Sequence, residues 1–208
     1  VQMAPVRAIA SDSDTAALNG FVLMLDNITR DFADESERDR QLHAHTEASR
    51  ASLGNLLAAV ELIDEPDLDT DTRTRLQGVV RDEVQAMREK MRKHLLPDER
   101  TEAGEFNLKQ GAGGIVDIEF MVQYAVLAWA HESPELTRYP DNVRILEGLA
   151  NRGLLPSDAA SGLRDAYLQY RARGHRLALA NREARVNDDE FLPERALVTH
   201  WWNELIGE

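Results

Sequence analysis

The fold class that the sequence predicts is mainly α: a long helical hairpin, then a C-terminal helical bundle, with a short β remnant near the N-terminus. Three observations predict it. Apolar residues recur at three- and four-residue spacing through two long stretches, the signature of one helix face. A third stretch, from about Ile115 to His131, is apolar nearly all round, as a helix in the centre of a bundle is. Proline falls between these stretches rather than inside them.

The elements follow in order. Phe21–Ile28 comes after the turn pair Asn19-Gly20 and is compact, apolar and partly β-branched, so it reads as one strand. A lone strand is not stable, so it needs a sheet or a partner such as Met3–Ile9. From about Phe32 the text turns helical. Leu53, Leu56, Leu57, Val60 and Ile63 mark one helix face, which Glu65-Pro66-Asp67 ends. A second helix is expected from about Thr70 to Leu96, with the stripe Leu76, Val80, Val84, Met87, Met91 and Leu95, stopped by Pro97. Two long helices joined by a short turn make an antiparallel hairpin. Phe106–Lys109 is a short extended piece, followed by Gly111-Ala-Gly-Gly114 and the apolar helix. Further helices are expected over Asn142–Asn151, with Gly153 as its stop, over Ser157–Asn181, with Ser157 as its N-cap, and over about Pro193–Leu205. The implied division is residues 1–30 as a β and loop remnant, 31–97 as the hairpin, and 98–208 as the bundle.

Composition narrows the function. The chain has 208 residues, 37 acids against 24 bases and a formal charge of -13. Such a surface repels phosphate backbones and anionic lipid, which argues against a nucleic-acid or membrane-surface binder. The charge is uneven: residues 1–69 hold 14 acids and 5 bases, so most of the excess lies in the front third. Cysteine is absent, which removes disulfides, thiolate metal sites and a cysteine nucleophile, and suits a cytoplasmic protein. No apolar run reaches membrane-spanning length. The start, Val1-Gln2-Met3-Ala4-Pro5, reads as an internal cut.

The most informative stretch for chemistry is Lys109–Phe120. Gly111, Gly113 and Gly114 precede the start of a buried helix, where backbone N–H groups favour an anion and Lys109 adds positive charge. Asp117 and Glu119 stand in the first turn, where carboxylates suit the helix dipole. Two residues apart, they project about 200° from one another and cannot share one metal. The same pattern also fits a tight turn with dipole-matched acids and no ligand. It is not a dinucleotide fingerprint, since Val116 stands where glycine is required, nor a P-loop, since no Gly-Lys-Ser/Thr follows.

Other candidates are weaker. Asp12-Ser-Asp14 lacks a preceding Gly-Ser turn and reads as loop. Asp67–Asp71 imitates a calcium loop, but Thr72 and Gly78 occupy the positions of its glycine and glutamate; an interhelical turn and helix cap fit better. His43 and His45 point to different sides of a helix, and His131-Glu132 lacks the second histidine of a zinc helix.

Several ordered segments carry a resemblance. Met87–Arg92, Phe106–Tyr124, Leu136–Leu149, Glu194–Leu197 and the ending Trp201-Trp202-Asn-Glu-Leu205 resemble the C-terminal part of the bifunctional glutamine synthetase adenylyltransferases, over about residues 80–208. The resemblance implies a nucleotidyltransferase of the polymerase β type. Such enzymes move AMP from ATP, with Mg²⁺, onto a tyrosine of glutamine synthetase and respond to PII signalling proteins. It further implies that this segment is the helical domain after the catalytic palm, that the palm with its metal-binding aspartates lies outside these residues, and that the chain alone does not transfer AMP. On this resemblance Lys109, Gly111, Gly113, Gly114, Asp117 and Glu119 lie near the nucleotide or its phosphates.

Residues 1–80 resemble something else. Asn19–Thr29 is similar to the last strand of a PAS-type sensor domain, and Thr46–Leu53 with the following helices is similar to the dimerisation hairpin of sensor-kinase relatives. Where those kinases carry a phospho-accepting histidine this chain has Glu47, with His45 two residues away. The alternative reading is therefore a non-catalytic signalling or dimerisation module, a homodimer through residues 31–97.

Overall fold

A computed structural model of the chain describes residues 54–95 and 104–207. The strand expected at 21–28, the histidines and aspartates weighed before residue 54, and the boundary at 97/98 lie outside the described residues.

Helix α1 is seen over residues 54–63 and α2 over Thr70–Leu95. Between them the turn is set by Asp69. Its carboxylate accepts from the Thr72 backbone N–H at 2.9 Å and from the Thr72 hydroxyl at 2.6 Å, satisfying a donor that the helix start leaves open. The cap also depresses the Asp69 carboxyl below its ordinary value, chiefly through the Thr72 hydroxyl. The acidic run is thus the interhelical turn and cap that its sequence predicts. Leu56, Ala59 and Ile63 of α1 meet Val80, Val84 and Met87 of α2 in the core.

The hairpin lies against α3, Ile115–Trp129. Helix α3 buries thirteen of its fifteen residues, all but Glu119 and Trp129. Two polar ties fix its far end to the hairpin: Gln77 donates to the Ala128 carbonyl at 2.9 Å, and His131 Nδ1 lies 3.1 Å from Asp64 Oδ1. The remaining helices surround α3. A 3₁₀ turn, Pro134–Thr137, leads into α4, Asn142–Asn151, whose first turn is capped by Asp141 accepting from the Arg144 N–H at 2.9 Å. Gly153 ends it at φ 69°, the left-handed C-terminal stop. Helices α5, Ser157–Leu179, and α6, Leu192–Leu205, complete the bundle. The buried hairpin stripe and the bundle share one continuous apolar core. Each fully buried Leu, Val or Phe in it contributes roughly 1.5–3 kcal/mol.

Ser157 does not cap α5. It is the first helical residue, and Pro156 holds the cap position with no side-chain bond. Proline cannot donate, but its fixed φ of −56° and extended ψ of 141° aim its carbonyl into the helix, where it accepts the Ala160 N–H at 2.9 Å. At α6, Pro193 falls in the first turn as expected, and Phe191 precedes it in the left-handed region at φ 68°.

A two-stranded antiparallel sheet closes the bundle. β1, Glu105–Asn107, pairs with β2, Arg185–Asn187, with Phe106 opposite Val186. Both central side chains are buried. Phe106 meets Tyr170 edge-on at 6.0 Å, and the Arg195 guanidinium lies 4.1 Å over its ring. No helix among the described residues is long and apolar enough to cross a membrane.

Candidate functional site

The glycine-rich stretch runs from β1 into α3, and its backbone folds back on itself. Asn107 starts the turn: its side-chain oxygen accepts the N–H groups of Lys109 at 3.0 Å and Gln110 at 2.9 Å. The Asn107 carbonyl accepts from Gly111, and the Gly111 carbonyl from Gly114. Ile115 then donates to Leu108, and Val116 to Lys109.

Close packing explains the three glycines. A Cβ on Gly111 would stand 2.6 Å from both the Asn107 carbonyl oxygen and the Phe106 ring. One on Gly114 would stand 2.7 Å from the Leu108 carbonyl oxygen. Gly113 needs its glycine twice over: its φ is 78°, and a Cβ there would stand 2.7 Å from the Arg195 carbonyl oxygen on α6.

A buried charge cluster holds this loop to the hairpin. Arg88, on α2, is fully buried. Its Nε donates to Asp117 Oδ1 at 2.6 Å, and its Nη2 and Nη1 donate to the Gln110 carbonyl at 2.9 Å and side-chain oxygen at 3.3 Å. Arg92 reaches the same Asp117 oxygen at 3.3 Å. The other Asp117 oxygen accepts the Gly113 N–H at 2.7 Å. Burial pushes the Arg88 guanidinium below its ordinary value, and the Asp117 charge beside it works the other way. One carboxylate thus ties together a helix of the hairpin, the glycine loop and α3.

Asp117 and Glu119 serve two separate clusters, as their angular separation requires. Glu119 looks toward α5, where it accepts the Tyr167 hydroxyl at 3.2 Å. That hydroxyl also accepts from Asn142 and Arg171, each at 3.0 Å. Burial, followed by the Glu119 charge, raises the Tyr167 phenol above its ordinary value.

The six sequence-predicted residues therefore share one loop and one helix start but have different surroundings. The N–H groups of Gly111, Gly113, Gly114, Ile115 and Val116 are all engaged within the chain. Lys109 is half-buried at the rim of the loop. Among the described residues no three His, Asp or Glu side chains gather as a metal set. Sequence reading passed over Arg88 and Gln110. A signal for Arg88 was present: it falls at i+4 from Val84 and i+8 from Val80, so a charge stands inside an apolar stripe, which demands a buried partner.

Comparison with known proteins places this geometry. Residues 84–192, just over half the chain, match the family described as GlnD PII-uridylyltransferase. The match begins four residues before Arg88 and takes in the glycine loop, α3, α4, α5 and both strands. Bifunctional glutamine synthetase adenylyltransferase/adenylyl-removing enzymes are similar over about two thirds of the chain. The protein from Nitrosococcus oceani is 54% identical over 129 residues, 62% of this chain and 13% of that enzyme. That from Acinetobacter baylyi is 51% identical over 136 residues, 65% of this chain and 15% of the enzyme. The Hahella chejuensis enzyme is 46% identical over 142 residues, again 15% of its length. The chain thus spans about one seventh of these relatives. It belongs to the GlnD PII-uridylyltransferase family.

Proposed function

We propose that the chain supplies the helical domain that follows the catalytic palm of a glutamine synthetase adenylyltransferase, an enzyme that moves AMP from ATP onto a tyrosine of glutamine synthetase to regulate nitrogen assimilation. The observation that carries this reading is the 54% identity over 129 residues to an enzyme of that description. In this role the loop is a rigid shelf. Gly111, Gly113 and Gly114 permit its tight path, Asp117 locks it to Arg88, and Lys109 presents a charge at its rim toward the palm or the ATP phosphates. Glu119 braces α3 against α5 through Tyr167. The N–H groups of Gly111, Gly113, Gly114, Ile115 and Val116 are already engaged, so Lys109, rather than a nest of N–H groups, carries the attraction for phosphate. No metal-dependent step is assigned to these residues, and Mg²⁺ belongs with the palm. Glutamine synthetase and a PII-type protein are the partners on this reading, in the cytoplasm.

The test uses a polypeptide that also carries the palm. Lys109→Ala should raise the KM for ATP with the fold intact, whereas an unchanged ATP affinity would refute the phosphate-proximal role. The 208-residue chain alone should transfer no AMP to glutamine synthetase but should bind it in a calorimetric titration. Transfer by the chain alone, or binding to neither glutamine synthetase nor a PII protein, would refute the wider reading.

A second reading has its own observation. On the hairpin, Leu62 is 50% and Val79 43% exposed, large apolar groups with no cover among the described residues. A homodimer through residues 31–97, as in a signalling module, would bury them. Sedimentation as a dimer that Leu62→Glu converts to monomer would favour it.

A further inference from the structure

Helix α5 carries a face that neither the bundle nor the proposed function uses. Leu168, Ala172, His175 and Leu179 recur at four-, three- and four-residue spacing, which keeps them within about 60° of one another along about 16 Å of helix. All four are exposed, Leu168 at 47% and Leu179 at 77%. A leucine three-quarters in water at the end of an ordered helix is an open apolar contact.

The charge around this stripe runs against that of the chain. Between Asp165 and Glu183 there is no acidic residue, while Arg171, Arg173, Arg176 and Arg182 fall within the interval. Arg173 is committed to Glu190 at 2.7 Å. Arg176, on the flank of the stripe, and Arg182, just past the helix end, are exposed and make no side-chain ion pair among the described residues. An apolar seam edged by unpaired arginines, in a protein of charge -13, is complementary to an acidic amphipathic helix.

We propose that the exposed face of α5, Leu168–Leu179 with Arg176 and Arg182, is a docking surface for an acidic amphipathic helix of a protein partner. Leucines of the partner cover Leu168 and Leu179 across Ala172, whose small side chain lets the two helices approach, and its carboxylates pair with Arg176 and Arg182. A basic helical face also suits an anionic bilayer, but this seam offers only two large apolar groups, too little to insert.

The experiment titrates the full 208-residue chain into a fluorescein-labelled helical peptide with a leucine seam flanked by glutamates, read by anisotropy. A peptide with lysine at every glutamate position is the control. The expected result is binding of the acidic peptide alone, weakened by salt, and weakened about tenfold or more by Leu179→Glu and by the pair Arg176→Glu with Arg182→Glu. All three positions are exposed, and circular dichroism verifies that each variant is folded. Absence of binding, equal binding of both peptides, or indifference to these substitutions would overturn the proposal. So would binding of phosphatidylserine vesicles through this face, or self-association of the chain that Leu179→Glu abolishes, since either supplies a different occupant.

Discussion

Arg88→Ala isolates the energetic role of the buried cluster. The substitution removes a 2.6 Å charge-assisted bond to Asp117 and two bonds to Gln110, all fully shielded from water. It leaves Asp117, itself buried, with the Gly113 N–H and one longer contact from Arg92 at 3.3 Å. Breaking one side of a buried pair costs about 3–5 kcal/mol. The remaining Arg92 contact places this case toward the low end, still a large fraction of the roughly 5–15 kcal/mol that holds a domain folded. Urea unfolding followed by circular dichroism measures it as a lower midpoint at unchanged slope. The double substitution Arg88→Met with Asp117→Leu removes both charges and keeps most of the volume. It should be more stable than Arg88→Ala, yet short of the parent by about 1–3 kcal/mol, because the Gly113 N–H loses its acceptor. A loss below about 1 kcal/mol for Arg88→Ala, or a double variant less stable than the single one, would refute the assignment of Asp117 as the shared anchor.

Three further predictions concern single sites. Gly113→Ala should cost about 2 kcal/mol or more in the same urea assay, since it meets both a positive φ and a 2.7 Å approach to the Arg195 carbonyl; a neutral result would mean that α6 does not seat on the loop. Tyr170→Phe should be neutral or stabilising by up to about 1 kcal/mol, because the Tyr170 hydroxyl is buried with no partner among the described residues. Burial also raises that phenol well above its ordinary value, so its neutral form supports the fold up to about pH 10 and the support is lost as pH rises further; Tyr170→Phe should show less alkaline destabilisation than the parent. The Asp69 carboxyl is depressed below 3.8 in the folded chain, so its capping contribution is present above the ordinary carboxylate range and disappears as pH falls through the depressed value. The stability gap between the parent and Asp69→Ala, followed by thermal melts, should therefore be constant above about pH 5 and shrink in acid.

Much of the helical body is legible in the sequence because burial there is periodic. Leu56, Ile63, Val80, Val84 and Met87 face the core at the spacing that marks them, and the unbroken apolar text of α3 corresponds to a helix surrounded by others. The strand pair is less legible. Two three-residue strands, 105–107 and 185–187, lie almost eighty residues apart, and neither is long enough to show an alternating pattern. Phe106–Lys109 reads as extended, but nothing local nominates Arg185–Asn187 as its partner. The site follows the same rule. Glycines followed by a helix signal a loop start, but whether the N–H groups stay open is a tertiary fact. Here Asn107, Leu108, Lys109 and Gly111 supply the acceptors from the same loop, and Asp117 supplies the last from the helix itself. Ser157 illustrates the opposite failure: a good capping residue stands one position inside the helix, while the neighbouring proline fixes the backbone that makes the cap position its own.

The pairing of β1 with β2 bears on how the chain is made. Synthesis runs from the N-terminus, so Glu105–Asn107 leaves the ribosome long before Arg185–Asn187 exists. Until then Phe106 has no Val186 opposite it, and Arg195, which covers its ring, comes later still. The growing chain can assemble the hairpin against α3, but the end of the bundle stays unclasped. Closing so long a loop is slow compared with forming helices. Translation halted between Asn107 and Arg185 would therefore leave Phe106 without its cross-strand partner beside an unpaired strand edge, an intermediate open to aggregation.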